Sequence, residues 1–154
     1  MAPNKILQIP RQLPQFDRAT LIIVTGRQDA IFYRAWQGLL AQLGAFHLPR
    51  PRYSDHEGEF KKRGRGIEIS YGANTEIDKR DSIREFLQAF RQQIKRIPEA
   101  AEIIIFAPAI LKKVIGQALP SAWQKHLKQI IAGNYHRFYP LEILRKLAQA
   151  QTRP

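Results

Sequence analysis

Cysteine is missing altogether from this 154-residue chain. Its absence removes disulfides, thiolate zinc sites and cysteine nucleophiles. Long apolar runs are missing too. The longest, LIIV at 21–24 and IIIFA at 103–107, fall far short of the ~20 residues that cross a bilayer, so no membrane insertion is expected. The opening MAPNKILQIPRQLP is broken by Pro3, Pro10 and Pro14 and reads as neither a signal peptide nor an anchor. Together these absences lead to the expectation of a cytoplasmic protein. Acidic residues are few: 13 Asp and Glu stand against 25 Lys and Arg, for a formal net charge of +12. A surface of that sign attracts nucleic acid, anionic membrane or an acidic protein.

The common catalytic and cofactor signatures are absent as well. There is no Walker-type phosphate loop, no Gly-x-Gly-x-x-Gly after a strand, no His-Glu-x-x-His and no Gly-x-Ser-x-Gly. His47, His56, His126 and His136 are scattered without metal-ligand spacing. Asp55, His56, Glu57 and Glu59 have oxygen and imidazole ligands suited to magnesium or manganese. They adjoin a run of cations and have no carboxylate pair on a strand to complete a site. A metal-dependent nuclease is therefore the weakest reading, and no metal, cofactor or catalytic residue is assigned.

What remains is an alternation of strand and helix patterns. Residues 1–19 read as an extended arm. TLIIVT at 20–25 is rich in β-branched residues, the pattern of a strand buried on both faces. AIFYRAW then alternates, with Ile31, Tyr33 and Ala35 on one side and Phe32, Arg34 and Trp36 on the other. LLAQLGAFHL predicts a third strand with a kink or bulge at Gly44, completing an antiparallel meander. The chain from about 49 to 80 is polar, charged and glycine-containing, and reads as a long basic loop holding at most a short strand at IEISYG. Ile83, Phe86, Leu87, Phe90, Ile94 and Ile97 then stack on one face of a helix whose start is marked by Ser82 and Glu85.

EIIIFAP predicts a second doubly buried strand. AILKKVIGQAL follows as a helix with an apolar stripe of Ile110, Leu111, Val114, Ile115 and Leu119. A short helix from Pro120, a strand over KQIIA and a final helix from Pro140 close the chain. Residues 20–150 thus form a single α/β domain: a mixed β-sheet that starts with an antiparallel meander and is covered by helices.

One stretch carries chemistry. Lys61, Lys62, Arg63 and Arg65 are interspersed with Gly64 and Gly66, flanked by Phe60 and Tyr71. Lysine and arginine neutralise phosphates, and interposed glycines let a backbone approach them closely. Phe60 and Tyr71 add rings on which bases stack. These eight residues are the candidate nucleic-acid-binding set. A solvated charge run in a loop is the alternative.

TLIIVTGRQDAIFYRA, REFLQAF and EIIIFAPAILKKVIGQALPSAWQKHLKQIIAGNYHRFYPLEILRKL resemble the bacterial proteins described as required for attachment to host cells. The likeness covers residues 20–148 in pattern. That family resembles in turn the middle domain of archaeal and eukaryotic peptide-chain release factors. The resemblance implies a three-layer, ribonuclease H-like domain of the translational-machinery type. It also puts the 49–80 loop where a release factor carries Gly-Gly-Gln. This chain departs there, offering Gly64-Arg65-Gly66 without a glutamine. Gly116-Gln117 falls in the expected helix instead. The chain also has Gly26 where the attachment family commonly has aspartate, so no role of that acid carries over.

Two functions are consistent with these observations. The first is a non-catalytic RNA- or ribosome-binding protein that holds phosphate through the basic loop. The second is an attachment or interaction protein that binds an acidic protein or a cell-envelope partner.

Overall fold

The computed structural model describes residues 6–49 and 66–152, and of 66–79 and Thr152 the backbone alone. Six strands form one sheet: β1 (Ile6–Gln8), β2 (Thr20–Thr25), β3 (Asp29–Trp36), β4 (Leu39–His47), β5 (Glu102–Ala107) and β6 (Leu127–Ala132). Four α-helices accompany them: α1 (Gly66–Ile94), α2 (Ala109–Ile115), α3 (Ser121–Gln124) and α4 (Pro140–Thr152), with a 3-10 turn at Gly116–Ala118. The strand order is β1-β4-β3-β2-β5-β6. The β1–β4, β4–β3 and β3–β2 pairs are antiparallel, whereas β2–β5 and β5–β6 are parallel. The expected mixed sheet with an opening meander is present.

β2 lies at the centre, between β3 and β5, and all six of its residues are buried. Its β-branched run suits that position because both faces of the strand are covered. Leu21 and Ile23 point into one core with Phe32, Ile103 and Ile105, roofed by Phe86, Phe90 and Ile94 of α1, Leu111 and Ile115 of α2, and Trp123 of α3. Ile22 and Val24 point into the other with Tyr33, Leu40, Ile104 and Phe106, closed by Ile143, Leu144 and Leu147 of α4. The molecule is thus three layers deep, helices–sheet–helix. The alternation expected along β3 holds: Phe32 faces the first core, and Ile31, Tyr33 and Ala35 face the second.

The register of β3 against β4 slips between Phe32 and Tyr33, so Gln42 pairs with Tyr33 while Gly44 pairs with Phe32. The extra residue is Leu43, next to the glycine where a bulge is expected. A Cβ at Gly44 would stand 2.5 Å from the side-chain amide of Gln93 on α1, which would have to turn aside.

The helix start differs from expectation. α1 begins at Gly66, so residues 66–80, read as loop with a strand at IEISYG, are helical. Ser82 and Glu85, with capping-box spacing, lie inside the helix. Ile67, Ile69, Gly72, Asn74 and Thr75 have low helix propensity. Once a helix is nucleated, however, each added residue is fixed in exchange for one hydrogen bond, without the penalty of starting a new turn. A second difference concerns α2, which stops at Ile115 and passes into the 3-10 turn. Leu111 and Ile115 are buried, while Ile110, expected in the apolar stripe, is 46% exposed.

Upstream of the sheet's centre, Ile6–Gln8 adds an edge strand to β4. The segment after it folds back on the β3–β4 turn, where the Ile9 N–H donates to the Gly38 carbonyl at 2.7 Å. The side-chain amide of Gln15 donates to the carbonyls of Pro10 at 2.7 Å and Leu13 at 2.9 Å, which closes this segment on itself.

Phe90 is fully buried, with its ring 5.7 Å from that of Phe32 and 6.1 Å from that of Phe86. Phe90→Ala empties the contact between α1 and the sheet and is expected to cost about 3–5 kcal/mol. Urea unfolding monitored by circular dichroism measures this; a loss below about 1 kcal/mol would contradict the packing.

Candidate nucleic-acid interface

β2, β4, β5 and β6 all point the same way, and their carboxyl ends meet at one edge of the molecule. Here the chain leaves β2 toward β3 on one side, while β5 continues through helices to β6 on the other. In open α/β sheets such a divergence leaves a crevice beyond the strand ends, the usual location of ligand sites.

A two-residue turn, Arg27-Gln28, connects β2 to β3 there and is closed by the Gly26 N–H donating to the Asp29 carbonyl at 2.8 Å. The turn presents Arg27 to solvent. Asp29 then reaches two ways. Its Oδ2 lies 3.5 Å from Nδ1 of His47, the residue paired with it across β3 and β4. Its Oδ1 lies over Gly26, and the ring of His136 covers the same point: a Cβ on Gly26 would collide with Asp29 Oδ1 and stand 3.0 Å from His136 Nδ1. One carboxylate is therefore flanked by two imidazoles, one of them, His47, 71% exposed at its side chain.

Two buried polar atoms at this end make no hydrogen bond, Thr25 Oγ1 and His136 Nδ1. Thr25 ends β2 and is wholly buried. Arg137 follows His136, is exposed, and forms no ion pair among the described residues; the same holds for Arg27. No group of three or more histidine and acidic side chains suited to a metal ion exists among the described residues.

Most of the expected phosphate-binding set lies outside the described residues. Phe60, Lys61, Lys62, Arg63, Gly64 and Arg65 lie outside the described residues, as do Asp55, His56, Glu57 and Glu59. Gly66 and Tyr71, expected on the loop, belong to α1. Pro49, two residues beyond the end of β4, leads into the undescribed segment from the same edge that carries Arg27, His47 and Arg137. α1 begins on that side too. Its Gln93 lies against Gly44 and its Phe86 is 5.4 Å from Phe46, so the helix runs backward along β4 toward the carboxyl end. At 29 residues it is ~44 Å long, well beyond the ~30 Å of β4.

Other cations lie on α1, in the turn that follows it, and on α2. Arg91, Lys95, Arg96, Lys112 and Lys113 are exposed, and Arg84 lies 3.9 Å from Asp81. Sequence reasoning missed the edge itself. Arg27, Asp29, His47 and His136 come from three separate segments, and only the strand register brings them together.

At the opposite edge a polar cavity of about 290 Å³ is lined by Asp17, Arg18, Glu102, Lys128 and Gln151. Its charges are balanced, with Lys128 Nζ 3.7 Å from Glu102.

No protein-family model matches the chain, and no curated protein matches it in sequence. Among solved structures, an archaeal translation termination factor is similar, with a TM-score of 0.51 and 12% identity. The match covers 86% of this chain and 39% of that protein, so the chain spans about two fifths of that factor's length. The likeness shows the fold, a single three-layer α/β domain with a mixed sheet covered by helices.

Gly26→Ala forces Asp29 and His136 apart. The expected outcome is a loss of about 1–2 kcal/mol in stability together with displaced imidazole resonances of His47 and His136 in NMR spectra. Unmoved resonances would contradict the arrangement over Gly26.

Proposed function

We propose that this protein is a non-catalytic RNA-binding module of the translational machinery that holds phosphate at the carboxyl edge of its sheet. The carrying observation is the charge at that edge. Arg27 and Arg137 have no carboxylate partner among the described residues. The segment that leaves the same edge contains Lys61, Lys62, Arg63 and Arg65. Coulomb attraction to a polyanion is long-ranged and sequence-independent, and every phosphate neutralised releases counterions. The fold shared with part of a translation termination factor supports the choice of RNA in that machinery.

Chemistry is left out of the proposal for reasons in the chain itself. The Gly-Gly-Gln that the release-factor resemblance leads one to look for is absent. Gly116-Gln117 lies in the 3-10 turn, where a Cβ on Gly116 would come 3.3 Å from Leu127 and Ile130. That glycine is explained by close packing against β6.

Fluorescence anisotropy with a structured ribosomal RNA fragment, over a salt series from about 50 to 300 mM, tests the proposal. The wild-type protein is expected to show a steep negative dependence of log K on log salt. Replacing Lys61, Lys62, Arg63 and Arg65 by alanine makes the slope shallower by about 3, at roughly 0.7–0.9 for each phosphate no longer neutralised. Unchanged affinity and slope in the variant would remove the loop from the interface. No binding by the wild-type protein at low salt would overturn the reading and favour an acidic protein partner.

A further inference from the structure

On the α4 side of the sheet, a cavity of about 360 Å³ lies between the start of α4 and strands β1, β3 and β4. Leu7, Tyr33, Leu40, Gln42, Tyr139 and Pro140 line it. Its size is in the range of small-molecule sites, roughly 300–1,000 Å³. Apolar walls with a few polar groups are typical of such sites, and those groups here are two phenols and one carboxamide.

Tyr33 is 5% exposed, yet its hydroxyl makes no hydrogen bond among the described residues. Nor is it one of the wholly enclosed atoms, Thr25 Oγ1 and His136 Nδ1. It opens onto the cavity it lines. Burial raises its pKa above the ordinary tyrosine value, so at neutral pH the group remains a neutral donor and acceptor. Gln42, the residue paired with Tyr33 across β3 and β4, is exposed and supplies both a donor and an acceptor on one planar amide. Tyr139 stands at the rim, 77% exposed, the most exposed large hydrophobic side chain among the described residues. An aromatic ring held in water beside an apolar cavity forms a platform on which a flat molecule stacks. Arg137, exposed and without an ion pair among the described residues, is two residues away on the same connection.

We propose that this cavity receives one unstacked base of a single-stranded RNA segment, which stacks on Tyr139 and is hydrogen-bonded along its edge by Tyr33 and Gln42. The inference rests on the RNA-binding reading and adds a second, uncharged contact to it. Walls of aliphatic side chains alone would suit an alkyl chain. The phenol and carboxamide facing this cavity instead match a heterocycle with donors and acceptors along one edge. A net charge of +12 brings polyanions to the surface, and Arg137, exposed and two residues before Tyr139, is the cation closest to that ring in the chain.

Tyr139→Ala and Gln42→Ala test the assignment; both positions are exposed, so the variants keep the fold. Affinity is read by anisotropy with labelled eight-nucleotide RNAs of each base over a salt series. Tyr139→Ala is expected to weaken binding about 10-fold with the salt slope unchanged, because no charge is removed. Gln42→Ala reduces the preference among the four bases. Wild-type affinity and base preference in both variants would overturn the cavity assignment. If replacing Lys61, Lys62, Arg63 and Arg65 still flattened the salt dependence in that case, the RNA-binding reading would stand without the cavity. Absence of RNA binding by the wild-type protein would overturn both. Binding of free nucleosides with no effect of either substitution on RNA affinity would make the cavity a small-molecule site and also overturn the proposal.

Discussion

The parallel pairing of β2 with β5 is the constraint from which the rest of the molecule follows. Thr20 to Val24 lie beside Glu102 to Phe106 in register, although the two strands are far apart in sequence. Parallel neighbours cannot be joined by a tight turn. The intervening chain builds β3, β4 and α1 before it returns. Both strands are apolar on both faces, so each face needs its own cover. α1 to α3 cover one and α4 covers the other. Substituting a charged residue at Ile23 or Ile105 would therefore damage the whole structure rather than one surface.

The same pairing defines the functional edge. β2 turns to one side and β5 to the other, which leaves the space beyond their carboxyl ends open within the sheet. Polar side chains collect there: Thr25 at the end of β2, Asp29 between His47 and His136, and Arg27 and Arg137 facing water. Elsewhere the sheet ends are occupied differently. At the amino edge, the segment after β1 folds against the β3–β4 turn, and the charges of the cavity beside it are balanced. Arg18 and Lys125 near the amino edge also have no ion pair among the described residues. What distinguishes the carboxyl edge is that the chain carrying Lys61, Lys62, Arg63 and Arg65 leaves β4 from it beside Arg27 and Arg137.

Much of the architecture could be read from local pattern. β2 and β5 announce themselves by β-branched runs, β3 by an apolar set on each of its two faces, and α4 by Pro140 with leucines at helical spacing. The beginning of α1 could not be read this way. Gly72, Asn74 and Thr75 argue against helix, and Ser82 with Glu85 imitates a start signal that an existing helix overrides. The candidate site was less legible still. His47 faces Asp29 only because the bulge at Leu43 moves the register by one residue, and such a slip reverses which side chains meet. The cavity under α4 draws Leu7, Tyr33, Gln42 and Tyr139 from distant segments. Tyr33 is also part of an ordinary alternation, so its unpartnered hydroxyl leaves no mark in the sequence. The basic run Lys61 to Arg65, in contrast, is visible in sequence alone, and the fold adds the edge from which it departs.

Contact between RNA and the carboxyl edge of the sheet is the central claim. Amide chemical-shift mapping during titration with an RNA hairpin tests it most directly. The largest perturbations are expected at Gly26, Arg27, His47 and Arg137, with Gln37, Gly38 and Lys125 at the opposite edge unmoved. Perturbations confined to Gln37, Gly38 and Lys125, with the carboxyl edge silent, would contradict it.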